Sequence, residues 1–207
     1  MESSLVWALA GFAVVHLLAV ASPGPTFLFM ARAAAARGRG PALLAATATG
    51  FGAVFWAAAA LFGLQLLIAG AGWLYGALRL AGAAYLLWIA FHMIRHATDP
   101  LAAAGDIGGG GLPALWLRAF LVQLSNPKVM VFFGSVFATL LPAQPPLVAS
   151  LLALAIVYLN EFGWYALVAL LFSTPRIGRA YRAGKAWIER AAGGVIGAMG
   201  LKLAFDR

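Results

Sequence analysis

Glu161 stands in the middle of an apolar run that extends from Pro146 to Phe172. A carboxylate in such surroundings costs several kcal/mol unless it is paired, hydrated or protonated. Passage between wet and dry surroundings loads and releases a proton, or a ligand's ammonium binds the carboxylate directly. The alternative is a permanent contact with Lys128 or Asn160 that only fixes packing. Ionisable groups in hydrocarbon usually face a pathway, which makes Glu161 the leading ion-coupling candidate. Lys128 follows Pro127 inside another apolar run. Its ammonium needs either a ligand's carboxylate or Glu161 as partner.

Two proline-broken stretches supply geometry. In Ser22-Pro23-Gly24-Pro25 the prolines fix backbone angles and remove amide donors, leaving carbonyls of the preceding turn without helical partners. Gly24 between them permits an approach too close for a side chain. Ser22, Pro23, Gly24 and Pro25 are therefore expected to meet a zwitterion through a hydroxyl and bare backbone. In Ser125-Asn126-Pro127-Lys128 the Asn126 amide satisfies part of what Pro127 orphans. Ordinary kinks are the alternative for each stretch, but breaks at matching places in two halves suggest a carrier's binding site.

Among Trp56, Trp88, Trp164, Tyr85, Tyr158 and Tyr165, we expect Tyr85 and Trp164 to contribute to a substrate wall and the rest to pack or anchor. Arg79 and Arg190 either gate two entrances or snorkel to phosphates, the simpler account. His92 and His96 lie one turn apart without a third ligand nearby, so no metal and no cofactor is expected. His16, alone in an apolar segment, reads as a hydrogen-bonded packing residue. With no cysteine and no Ser/His arrangement, no catalytic residue is expected, and an intramembrane enzyme is the weakest reading.

The elements that must position these residues are membrane helices. Hydrophobic residues make up 64% of the 207-residue chain and charged residues 10%, with mean hydropathy +0.94, a core that a soluble domain could not cover. The apolar segments run over Leu5–Met30, Pro41–Ala69, Trp73–Ile94, Leu112–Leu141, Pro146–Phe172 and Ala186–Phe205. Each approaches or exceeds the roughly 20 residues that cross a bilayer. Leu5–Val20 resembles a signal peptide, but Glu2 and the absence of an early basic residue point to retention. The sixth segment is the least apolar; Gly193-x-x-x-Gly197, with Gly194 and Gly200 alongside, gives it a surface for close helix contact.

The net charge of +8 falls between these segments. Arg32, Arg37 and Arg39 follow the first, Arg95 and Arg118 flank the third connection, and Arg176, Arg179, Arg182 and Lys185 crowd the fifth. Connections two and four carry none. Positive connections lie inside, which places both termini outside, and no exposed basic face with stacking aromatics remains for nucleic acid.

The expected architecture is one all-α integral membrane domain over residues 1–207: six transmembrane helices, with the first and fourth broken at mid-span. Repeat one covers about 1–97, repeat two about 112–207, and 98–111 connects them. Pro23 answers to Pro127, and Arg79-x-x-Gly82 recurs as Arg190-x-x-Gly193. Three crossings per half insert the second half upside down.

At Ser22-Pro23-Gly24-Pro25, Gly82-x-x-Tyr85-Leu86 and Asn126-Pro127-Lys128 the chain resembles the LysE/RhtB family of amino-acid exporters, over essentially its whole length. The resemblance implies a bacterial inner-membrane exporter of amino acids or close derivatives, driven by an ion gradient, commonly protons. Glu161 stands at about the place where the family often carries an acidic residue in segment five. A metal-ion exporter is the alternative, but one intramembrane glutamate supplies too few ligands. Membrane lipid, protons and a small amino-acid substrate are the expected partners; small-residue helix faces leave a homo-oligomer open.

Overall fold

The computed structural model describes residues 3–70, 80, 83–84, 87–88, 90–99, 109–126, 128–130, 132–133, 136 and 145–205. Most of the expected third segment, with Arg79, Gly82 and Tyr85, lies outside them, as does Pro127. The described helices are α1 (Ser3–Ala21), α2 (Pro25–Arg37), α3 (Arg39–Gly70), α4 (Leu112–Leu124), α5 (Leu147–Phe172) and α6 (Pro175–Phe205). Residues 90–95 and 128–130 are also helical. Among the described residues no strand is present.

Two stretches, Arg39–Gly63 and Leu147–Phe172, are each long and apolar enough to cross a bilayer. A third is made if α1 and α2 are taken together, as one span bent by 62°. The bend has a local cause. Pro23 cannot extend α1, whereas Pro25 occupies the first turn of α2, where its missing donor costs nothing. Gly24 precedes it in an extended backbone and accepts the Leu28 amide at 3.0 Å.

Two expected connections prove to be helix. Segment one was expected to end near Met30, but α2 continues through its alanines, strong helix formers, to Arg37. Only Gly38, at φ +81°, separates α2 from α3, so Arg32, Arg37 and Arg39 stand on helices. Such a positive φ is open to glycine at little cost. Likewise only Ser173 and Thr174 separate α5 from α6, which starts at Pro175 rather than near Ala186. Arg176, Arg179, Arg182 and Lys185 lie along its first turns. A proline at a helix start is pre-organised, and the next proline never comes.

Alanines let α3 pack closely: Ala42, Ala45, Ala46, Ala53 and Ala57 are fully buried. Gly50 lies against the Tyr158 ring of α5, and Gly52 against the Gln123 stem of α4; an added Cβ at either would come within 2.9 Å of its neighbour. Gly193, Gly197 and Gly200 of α6 abut Ala83, Leu87, Ala90, Met93 and Ile94, the close contact expected from their spacing, whereas Gly194, expected to share it, faces open space. One apolar cluster joins Phe12, Val15, Ala57, Phe133 and Val157, and a second joins Phe27, Met30, Leu115, Tyr165 and Val168. Outward-facing Trp7, Phe55, Leu151 and Leu159 are exposed, as suits an apolar surrounding.

Candidate functional site

The two broken stretches meet. Lys128 Nζ donates to the Ser22 carbonyl at 3.0 Å and also to the Ser22 hydroxyl. The end of α1 thus receives a cation where its unpaired carbonyls concentrate negative potential. Asn126 makes the second link: its Nδ2 donates to Thr26 Oγ1 at 3.0 Å, and its Oδ1 accepts the Lys128 backbone amide at 3.1 Å. The α4 end is also closed by α3, whose Trp56 Nε1 donates to the Leu124 carbonyl at 3.0 Å.

Behind the breaks stands Glu161 on α5, only 3% exposed. Its Oε1 accepts Gln123 Nε2 at 3.0 Å and lies 3.9 Å from His16 Nε2. Its Oε2 is buried and has no hydrogen-bond partner among the described residues. Asn160 Nδ2 donates to the Ala13 carbonyl at 2.9 Å and lies 3.3 Å from His16 Nδ1. An amide nitrogen can only donate, so Nδ1 accepts and the neutral imidazole carries its proton on Nε2, facing the carboxylate.

A pocket gathers these groups. Ser22, Gly24, Asn126, Lys128 and Glu161 line it, with His16, Val129, Phe132, Phe133 and Tyr165. The open space at its centre is about 20 Å³, room for about one water. Cation and carboxylate share this pocket without a bond between them among the described residues, so the permanent Lys128–Glu161 pair is not formed here. Neither is an Asn160–Glu161 contact, since Asn160 turns to α1.

Other expected residues fall elsewhere. Pro23 and Pro25 shape the break without lining the pocket, and Tyr85 and Pro127 lie outside the described residues. Trp164 does not line it either; it packs on the second apolar cluster, with its buried indole nitrogen lacking a partner among the described residues. Tyr165, one turn beyond Glu161, takes the lining position. Gly24 is not needed for want of space, because an added Cβ would meet Lys128 Cδ at an ordinary 3.8 Å. His16 does pack, against Phe12, Phe132 and Phe133, but it also belongs to the pocket.

Thr26 and Gln123, both fully buried, were not expected. Their signal was polarity inside apolar runs, as for Glu161, but a neutral hydroxyl or amide is far cheaper to bury than a charge. His92 bonds the Trp88 carbonyl and His96 bonds Asp99. Among the described residues no group of three or more His, Cys, Asp or Glu side chains could hold a metal.

A model for LysE type translocators matches residues 17–207. The threonine efflux protein of Salmonella typhi is 33% identical over 198 residues, spanning 94% of this chain and 96% of that protein. The threonine efflux protein of Escherichia coli K12 is 31% identical over 200 residues, with the same coverage. The chemotactic transduction protein ChpE of Pseudomonas aeruginosa is 36% identical over 146 residues, 69% of this chain and 71% of that one. No solved structure matches. With its apolar helices and a match over nearly its whole length, this chain belongs to the LysE type translocator family and is a membrane transporter, not an enzyme.

Proposed function

We propose that this protein exports amino acids or close derivatives, threonine among them, across the bacterial inner membrane in exchange for protons. The observation that carries this is the meeting of Lys128, the Ser22 carbonyl and the open oxygen of Glu161 around one pocket. The threonine efflux proteins among its relatives narrow the substrate class. In this reading the single transmembrane domain holds six spans in two inverted three-helix repeats, with both termini outside, and the breaks of the first and fourth spans meet at the midplane.

The central space is too small for an amino acid, so the substrate must rearrange what it meets. Its carboxylate competes with Ser22 for Lys128, a stronger partner than a neutral carbonyl. Loss of that tie frees the end of α1. The substrate's ammonium meets Glu161, as do Tyr165 and the phenylalanine wall its side chain. After release outside, a proton replaces the ammonium on Glu161 and lets the empty carrier return. Such exchange uses one carboxylate for two cations in turn.

Efflux of preloaded labelled amino acids from vesicles, with and without a proton gradient, tests this. Threonine or a close relative should leave faster when the gradient is imposed. If no labelled amino acid leaves under either condition, the proposal fails.

A further inference from the structure

The polar side chains at the breaks form one chain of donors. The Lys128 amide donates to Asn126 Oδ1, Asn126 Nδ2 to Thr26 Oγ1 at 3.0 Å, the Thr26 hydroxyl to Gln123 Oε1 at 2.7 Å, and Gln123 Nε2 to Glu161 Oε1 at 3.0 Å. The first donor is a backbone N–H, which cannot accept. That fixes Asn126 with its nitrogen toward Thr26, which leaves the single Thr26 proton free for Gln123 Oε1, and an ionised Glu161 can only accept from Gln123 Nε2. Glu161 Oε1 is therefore held as an acceptor, while Oε2 is left without a partner among the described residues.

We infer that Gln123 is a positioning residue for ion coupling: it pins one oxygen of Glu161, reserves the other for the travelling cation, and ties that exchange to both helix breaks. This rests on the coupling role proposed for Glu161. Gln123 is suited to the task because Gly52 of α3 presses on its stem and leaves its amide little freedom. Simple packing gives no reason for an amide at a fully buried position, where leucine fills similar space with nothing to satisfy.

The charged groups around Glu161 leave it few other influences. His16 faces it from α1, and Lys128 shares its pocket. From α2 and α4 come the neutral Thr26 and Gln123. Arg39, the one charged residue of α3, is engaged by Ser173 and Thr174, and on α6 Lys185 pairs with Glu189 at 2.8 Å.

The test uses the full chain in liposomes loaded with labelled threonine. Efflux is followed against pH for wild type, Gln123→Leu, Gln123→Glu and Glu161→Gln, beside threonine exchange without a gradient. Gln123→Leu should displace the midpoint of the pH profile by about one unit. Gln123→Glu should split the profile into two steps, as adjacent carboxyls titrate together. It keeps the size of the side chain and the oxygen that accepts from Thr26, so it serves even if the leucine variant does not fold. Wild-type midpoints in the Gln123 variants, with coupling lost in Glu161→Gln, would overturn the positioning role alone. Wild-type pH dependence in Glu161→Gln would remove the coupling role on which it rests.

Discussion

Replacing Lys128 with methionine separates a transport role from a scaffolding role, because methionine keeps most of the unbranched stem and loses every donor. In the structure Nζ makes two bonds to Ser22, to its carbonyl at 3.0 Å and to its hydroxyl. Bonds to a charged donor contribute roughly 1.5–3 kcal/mol each. Removing the ammonium from a pocket also returns several kcal/mol of desolvation. These nearly offset one another, so the unfolding free energy of Lys128→Met should lie within about 1 kcal/mol of wild type, read as an unfolding temperature in detergent. Export behaves differently. If Lys128 receives the substrate carboxylate, one charge-assisted bond is lost only in the loaded carrier, and roughly 1.5–3 kcal/mol corresponds to about a 10- to 150-fold fall in apparent affinity. Initial rates of threonine efflux against internal concentration measure this. Lys128→Arg keeps the charge and should recover part of the loss. Wild-type affinity in Lys128→Met would refute the carboxylate role, and a loss of stability alone would show Lys128 to be a clasp.

Other positions yield sharper structural tests. Gly200→Ala should destabilise by roughly 1–3 kcal/mol, through overpacking, because its Cβ would meet the Leu87 amide at 3.1 Å and the Ala83 carbonyl at 3.2 Å. Gly194→Ala, with open space around it, should not lower the unfolding temperature. Gly38→Ala forces a side chain into the left-handed region at φ +81° and should cost about 1–2 kcal/mol. Trp56→Phe leaves the Leu124 carbonyl without its indole donor and should cost about 1 kcal/mol in thermal unfolding.

The membrane character, the bend at Pro23 and the buried Glu161 were legible because each rests on a large local penalty. Proline cannot continue a ladder, and a carboxylate cannot rest in hydrocarbon unattended. Helix ends were less legible: Arg37 and Arg39 resemble loop residues by charge, yet one glycine suffices to turn the chain between them. The rotation of each helix about its axis was not legible at all. Helices apolar on every side carry no stripe to mark an inner face, so Trp164 was expected where Tyr165 stands. Gln123 and Thr26 escaped notice because their importance lies in pairing across α2, α4 and α5, which spacing along one chain does not encode.

The ends of α1 and α4 are not equals. At the end of α4 the Leu124 carbonyl is closed by an indole from a neighbouring helix, a neutral fastening. At the end of α1 the fastening is an ammonium, and any incoming anion bids for it. One joint is therefore welded and the other latched. In the proposed transport cycle, cargo that carries its own carboxylate holds the key, while a cation without one leaves the Lys128 latch closed.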